Sequence, residues 1–487
     1  MRWLSLIVIT YSIPTFASDW NDLLHEFSRI GSGQAGQVCS QNTADSTPLI
    51  CSKPYEVICH RPQPDLQAET KQTFQRFQKK MGSDPLKASF EAISSAQEKF
   101  NQSEHTYSDA WSQFREPLDA QGIPDQEVQS KGAADPKLQL LKKEIDQRQS
   151  ELDALLKKHD ALIAELTRQI LAQYQKTPED LQKLFDQIKA SVIRSADKYL
   201  PDTAPNPDWA KKGDAVRFLK TVKIVVTSAY DHNYGQFRCG YNGLTINASY
   251  NSEERVVQVC PGMLIAALAN SGGSLESLGG VLAHEFGHSI DGRGITTPCD
   301  SGECNLSFDY AYRTFLDCIQ KHYASDPSQN FVSDADFAAR LKKSMPEFEQ
   351  ACAKLPPDSP RARQLAAMAQ WFKQNADSLS SSDKMGNQKR SELAADFYFA
   401  NELADQMQSM PKEKRISFIQ RAFPMFCNST ALDPLLEKLM GDSDPAHPPS
   451  RFRIEQALRH PEIRQLLGCA PLKSNEQPWC PLASKSH

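Results

Sequence analysis

The chain lacks an excess of basic residues, and this absence excludes one broad class of partner. Its 487 residues include 55 Lys and Arg against 60 Asp and Glu, which gives a net charge of -5. Proteins that bind the nucleic-acid backbone carry clustered positive charge. The 40% hydrophobic and 24% charged residues are instead typical of an ordinary globular protein. We therefore expect no nucleic-acid partner.

Apolar runs long enough to span a membrane are also missing from the sequence. The run from Trp3 to Phe16 covers about 14 residues, whereas a bilayer span takes roughly 20. It follows Arg2 and ends at the small residues Ala17 and Ser18, an order typical of a signal peptide. We predict a signal peptide over 1–17, export to the periplasm or the extracellular space, and no stable membrane span.

Closely spaced cysteine pairs are absent as well. A cysteine zinc cluster needs four ligands in tight pairs, and the closest two of the twelve cysteines, Cys299 and Cys304, have no second pair to join. An even number of cysteines in an exported chain favours disulfides. We predict structural disulfides, and the spacing leaves their connectivity open.

Glycine and proline are scarce between residues 65 and 200 except at a few breaks, which predicts an α-helical domain. Residues 18–64 before it are polar and contain three cysteines, so we predict an irregular segment held by disulfides. In the helical domain apolar residues recur at alternating steps of three and four, which favours a long helical hairpin over a dimerising coiled coil. They are Leu138, Leu141, Ile145, Leu152, Leu155, Leu162 and Leu166. His159 falls in the same row, where we expect a polar core position rather than a ligand.

A stretch rich in Pro, Asp and Asn at 201–208 predicts a domain boundary. Beyond it, β-branched runs at 221–227, 244–250 and 255–260 predict a small antiparallel sheet. The rest of the second domain, 209–487, is mostly helical by its pattern. The predicted fold class is α+β and mostly helical, with a helical domain preceding the domain that carries the motif described next.

The sequence His284-Glu285-Phe286-Gly287-His288 carries the strongest chemical signal in the chain. Residues four apart lie on one helix face, so His284 and His288 can both bind one metal ion while Glu285 lies beside it. Such sites hold zinc through three protein ligands and a water, and the carboxylate takes a proton from that water. We predict one Zn²⁺ per chain. Gly279 and Gly280 inside the same predicted helix indicate that another element packs closely there.

The third ligand must come from elsewhere in the sequence. Glu392 and Asp396 lie four apart on a predicted helix, so Glu392 can bind zinc while Asp396 fixes the tautomer of a ligand histidine. Glu303 is the rival, in a loop between two cysteines and without a helical partner carboxylate. We favour Glu392.

The motif and its surroundings resemble the gluzincin peptidases, and the neprilysin-like family most closely. Three blocks of sequence carry the resemblance: Asn247–Asn251 with Cys260–Leu264, Gly279–Gly294, and Glu392–Asp396 with His447–Arg453. The resemblance covers about 215–480 and implies a zincin-like catalytic domain. The last block is similar to the HtpX-like peptidases too, which makes that family the alternative.

The resemblance implies roles for four further residues. Asn247 and Ala248 would pair with an extended substrate as an added β-strand, while His447 and Arg453 would stabilise the oxyanion and hold the substrate. The expected function is an exported zinc endopeptidase that acts on peptides or unfolded proteins, with the helical domain as a cover over the cleft. The alternatives are an HtpX-like quality-control protease and a catalytically silent zinc-binding module.

Overall fold

The computed structural model describes residues 49–59, 66–206, 209–231, 236–291, 295–299, 302–306, 309–322, 387–423, 450–473, 478–480 and 482, with a few single positions between 339 and 350. The predicted signal peptide and His447 lie outside the described residues. Within them the chain is mostly helical with one small three-stranded sheet, so the predicted class of α+β and mostly helical is confirmed.

The described helices account for most of the described residues and are numbered here in chain order. They are α1 (Pro54–Cys59), α2 (Leu66–Met81), α3 (Pro85–Ala120), α4 (Asp125–Ala134), α5 (Pro136–Gln173), α6 (Pro178–Tyr199), α7 (Lys212–Thr221), α8 (Pro261–Asn270), α9 (Gly279–Gly287), α10 (Asp309–His322), α11 (Asn387–Gln408), α12 (Lys412–Ala422), α13 (Ser450–Leu458) and α14 (Pro461–Leu467). Short 3-10 turns cover Leu49–Cys51, Glu276–Leu278 and His288–Ile290.

The three-stranded sheet is mixed, which corrects the prediction of an antiparallel one. The described strands are β1 (Lys223–Val226), β2 (Tyr230–Asp231), β3 (Gln236–Phe237), β4 (Ala248–Asn251), β5 (Val256–Val259), β6 (Ile295–Cys299) and β7 (Gly302–Leu306). The sheet order is β1-β5-β4, with β5 parallel to β1 and antiparallel to β4. The connection from β1 to β5 runs through β2, β3 and β4, and it is long enough to bring the chain back in the same direction.

One continuous apolar core runs through the described parts of both predicted domains. It includes Phe185 and Ile188 of α6, before the Pro-rich stretch, together with Leu282 and Phe286 of α9 after it. Helix α6 packs directly against α9 and α11. At α6, therefore, the predicted helical domain packs directly on the helix that carries the metal motif.

Helices α3 and α5 form the predicted long hairpin. His159 is fully buried in it, and its ring stacks on Phe237 of β3 with 4.5 Å between ring centroids. The prediction of a polar core position at His159 is confirmed. Burial, opposed more weakly by a hydrogen bond to the Tyr241 backbone, lowers the pKa of His159 to about 4, so the ring is neutral at pH 7.

Three disulfides connect described residues and confirm the expectation of structural bonds. They join Cys51 to Cys469, Cys239 to Cys260, and Cys318 to Cys480. The first links residues 418 positions apart in the sequence. Across the described part of the chain, none of the helices is long and apolar enough to cross a bilayer.

The described end of the predicted irregular segment is helical, which corrects that prediction for Leu49–Cys59. Ile50 and Ile58 are 2% and 0% exposed and belong to the main core. Burial of two isoleucines stabilises the short helix α1, which would not persist alone at six residues.

Candidate metal centre

The metal motif lies on a short buried helix, as its spacing predicts. Helix α9 continues from the 3-10 turn Glu276–Leu278 and runs into a second one at His288–Ile290. At the start of the first turn the Ser274 hydroxyl accepts a hydrogen bond from the Glu276 amide at 3.2 Å, whereas α9 itself has no side-chain cap. Because α9 is buried on nearly every face, its direction is fixed by packing rather than by helix propensity.

Glycines let α11 approach α9 closely, as expected for Gly279 and Gly280. A Cβ at Gly280 would lie 2.5 Å from the Phe399 ring, and one at Gly287 would lie 2.9 Å from the Ala395 Cα. The second contact is with backbone, which cannot move aside as a side chain can. The glycines on this face of α9 therefore allow α11 to bring Glu392 within a short distance of the two histidines.

The side chains of His284, His288 and Glu392 converge on one point and could hold a metal ion. Nε2 of His284 lies 3.2 Å from Nε2 of His288 and 3.1 Å from Oε2 of Glu392. Nε2 of His288 lies 3.5 Å from Oε1 of Glu392. The preference for Glu392 is supported, and the side chain of Glu303 lies outside the described residues.

Asp396 lies behind His284, in the orienting position expected for it. Its Oδ1 is 2.9 Å from Nδ1 of His284. Because the carboxylate accepts a hydrogen bond from Nδ1–H, the proton stays on Nδ1 and the Nε2 lone pair is directed at the ligand cluster. Arg453 donates to both oxygens of Asp396, with distances of 2.6 to 3.1 Å. The described structure thus places Arg453 against Asp396, and its expected contact with substrate stays a prediction.

A second orienting pair lies behind His288, and the sequence analysis did not identify it. Asp291 Oδ2 and Ser391 Oγ both lie 3.1 Å from Nδ1 of His288. The Ser391 hydroxyl also donates to Asp291 Oδ2. Asp291 could have been noticed because it follows His288 by three residues, but Ser391 is 100 positions away from it and gives no such signal.

The charges around the ligands favour a cation. Burial alone would lower the pKa of His288, but Asp291, Glu392 and Glu285 outweigh it and raise that pKa to about 10. Burial would likewise raise the pKa of Glu392, and the two histidines hold it well below its usual value instead. The cluster thus stabilises positive charge at the point where its donor atoms meet. A divalent metal ion would supply that charge in place of the proton on His288.

Glu285 is half-buried next to the ligand cluster. Its carboxylate contributes to the raised pKa values of both His288 and Arg453, which means that it is close enough to act on both. The proposed base is therefore in the neighbourhood of the ligands.

Asn247 and Ala248 lie at the edge of the three-stranded sheet that faces α9. The Asn247 carbonyl accepts from the Cys260 amide at 3.1 Å, so it already belongs to the β4–β5 pairing. Because hydrogen-bonded positions alternate along an antiparallel pair, the backbone groups of Ala248 and Tyr250 point away from β5. The backbone groups of Ala248 and Tyr250 therefore lie on the side of β4 opposite to β5, while Asn247 presents an exposed side chain.

No family model, curated protein or solved structure matches this chain.

Proposed function

We propose that this chain is an exported zinc-dependent endopeptidase. The observation that carries the proposal is the meeting of two imidazoles and one carboxylate beside Glu285. Each histidine has its own orienting carboxylate, Asp396 for His284 and Asp291 for His288. Catalytic zinc sites in proteins combine this donor set with such outer partners. The disulfides support an oxidising compartment.

The donor types support zinc over magnesium and calcium. Two imidazoles and one carboxylate suit Zn²⁺, whereas Mg²⁺ and Ca²⁺ prefer oxygen ligands. When bound, zinc lowers the pKa of a water molecule and polarises a carbonyl group. His284, His288 and Glu392 would hold it, and the remaining coordination position would be open to water or substrate.

Glu285 supplies the proton transfers in the proposed reaction. Its carboxylate accepts the proton of the attacking water and then delivers it to the leaving amine. Arg453 and Asp396 keep the imidazole of His284 in one tautomer throughout, because the Asp396 carboxylate accepts from Nδ1. The buried ion pair thereby preserves the geometry of the site.

The side of β4 that faces away from β5 would bind the substrate in an extended shape. A peptide lying along it would exchange backbone hydrogen bonds with Ala248 and Tyr250, a mode that makes few demands on side chains. A folded protein would have to unravel several residues first, and ordering them costs about 1–2 kcal/mol per residue. We propose peptides and unfolded segments as the substrates.

The test compares metal content and peptide hydrolysis in one preparation of the full chain. The proposal requires about one zinc per chain, with hydrolysis that is lost with a chelator and restored by zinc. Protein that retains zinc and cuts no member of a diverse peptide library would show a metal-binding module instead. If the protein takes up no zinc, both the endopeptidase and the metal-binding module are rejected.

A further inference from the structure

The short N-terminal segment Leu49–Cys59 lies against the helix that carries Arg453. Helix α13 contacts α1 and α11. Towards α11, Arg453 holds Asp396 and through it His284. The segment therefore lies at the end of a chain of contacts that leads to a metal ligand.

Arg451 makes the polar contact between the segment and α13. Its Nη2 donates to Oε1 of Glu56 at 2.9 Å, although 395 positions separate the two residues in the sequence. The Arg451 guanidinium also lies 4.7 Å from the centroid of the Tyr55 ring, within the range of a cation–π contact. The side chains of Arg451 and Glu56 are each 35% exposed, and an ion pair exposed in this way stabilises little by itself. The remaining contacts therefore decide how firmly the segment is held.

Those contacts are apolar and covalent. Ile50 and Ile58 are buried in the main core together with Phe452 of α13. The Cys51–Cys469 disulfide joins the segment to the chain just beyond α14, and α14 itself packs on α11 and α13. The segment is thus fixed at both of its ends to the elements that surround Arg453.

We propose that Leu49–Cys59 is a positioning element of the metal site: by holding α13 against α11, it determines how firmly Arg453 and Asp396 orient His284. Tyr55 and Glu56 act through Arg451 and touch neither metal nor substrate. This inference rests on the proposed function, because it assumes that His284 binds a metal ion.

The first test measures the rate at which zinc leaves the folded protein in the presence of a colorimetric chelator. Glu56→Gln and Arg451→Met should each release zinc about two- to fivefold faster, because a looser α13 weakens the hold of Asp396 on His284, and complete loss of such a partner costs about 10- to 100-fold. The double variant should be no faster than the faster single variant, because both changes remove the same contact. Asp125→Asn is the matched control, since it removes an exposed partner of Arg115 in the α3–α4 region, and it should release zinc at the wild-type rate.

The second test removes the covalent tie with Cys51→Ser and Cys469→Ser together. Zinc release should be about tenfold faster at a temperature where circular dichroism shows the variant folded, and the visible spectrum of the Co²⁺ form should shift as His284 reorients. The control removes Cys239 and Cys260, whose bond lies at the end of β5. That variant should be less stable yet retain the wild-type Co²⁺ spectrum.

The outcomes separate the two proposals. Wild-type protein that binds no zinc would reject the proposed function itself. Wild-type protein that binds zinc, with Glu56→Gln, Arg451→Met and the Cys51/Cys469 variant all releasing it at the wild-type rate, would overturn the positioning role. Equal acceleration in both disulfide variants would overturn it too, since general loosening would then explain the loss.

Discussion

Oδ1 of Asp396 lies 2.9 Å from Nδ1 of His284, one helical turn beyond the carboxylate of Glu392, which meets the other nitrogen of the same ring. A single helix, α11, therefore contributes both a ligand and the group that orients a neighbouring ligand. Burial opposes ionisation of Asp396, but Arg453 and His284 outweigh it and hold the pKa of Asp396 below its usual value. The carboxylate thus stays charged, and the His284 tautomer stays fixed.

Replacing Glu285 by Gln separates metal binding from chemistry. We expect Glu285→Gln to keep its zinc and to lose about 10²–10⁴-fold in kcat, because an amide cannot accept the proton of water. Metal analysis and a fluorogenic peptide assay on the same sample check this. Turnover near the wild-type value would mean that another group is the base.

Replacing Glu392 tests the third ligand. Glu392→Ala should abolish stoichiometric zinc binding, whereas Glu303→Ala should leave it intact, since only the first carboxylate joins the histidines in the described structure. Metal content after gel filtration decides between them. The reverse ranking would move the ligand to the cysteine-flanked hairpin.

Asp291 should matter for metal retention nearly as much as a ligand does. We expect Asp291→Asn to weaken zinc affinity by about 10- to 100-fold, since it removes the charged acceptor behind His288. Ser391→Ala should have a smaller effect in the same direction, because Asp291 remains. Competition with a chelator of known affinity measures both, with the exposed Asp197→Asn as control. Equal affinities for Asp291→Asn and the control would exclude this role.

The edge of β4 can be probed from the substrate side. One peptide that the enzyme cuts well is prepared as a set of variants, each N-methylated at a different backbone amide. We expect kcat/KM to fall about three- to tenfold when the methyl group is at every second position, because each lost hydrogen bond costs about 0.5–1.5 kcal/mol. The alternation follows from the outward groups of Ala248 and Tyr250. A uniform response along the peptide would argue against pairing with this strand.

Acid should destabilise the fold through two buried histidines. Burial lowers the pKa of both His159 and His460 to about 4, below the value of about 6.5 in an unfolded chain. The unfolded state therefore binds more protons, so stability is full above pH 6.5 and falls as the pH drops towards 4. Each histidine accounts for up to about 3 kcal/mol of that loss.

Urea unfolding of metal-free protein between pH 7.5 and pH 4.5 measures this effect. His159→Leu should lose less stability than the wild type over that interval, whatever its stability at pH 7.5. His105→Gln, at a histidine whose side chain is 80% exposed, should follow the wild-type curve. Parallel curves for all three proteins would show that His159 is not responsible.

The sequence predicted those parts of the site that depend on local spacing. His284, Glu285 and His288 share one turn of helix, and Glu392 and Asp396 share another, so helix geometry alone relates the members of each group. Contacts between distant segments could not be predicted in this way. The Ser391 hydroxyl meets Asp291 because α11 packs closely on the glycine-lined face of α9, and no local pattern states which residues will face each other across two packed helices.

The same reason explains the errors about the fold. The predicted strands lie within a few residues of the observed β1, β4 and β5. The parallel pairing of β1 with β5, however, depends on how the chain between them turns back. The helical character of Leu49–Cys59 depends on Ile50 and Ile58 entering a core that is built mainly from residues much later in the chain. A short segment of average propensity is helical here because of what it contacts.

The bond between Cys51 and Cys469 also constrains the order of events during biosynthesis. At about 5–20 residues per second, the 418 positions between the two cysteines take roughly 20–80 s to synthesise. Throughout that interval the Cys51 thiol has no native partner and can react with whichever other cysteine is already accessible. Correct maturation therefore depends on oxidation being delayed, or on wrong pairs being exchanged, until the last helices have been made. For the exported metalloprotein proposed above, the handling of thiols is a step that precedes the formation of the metal site.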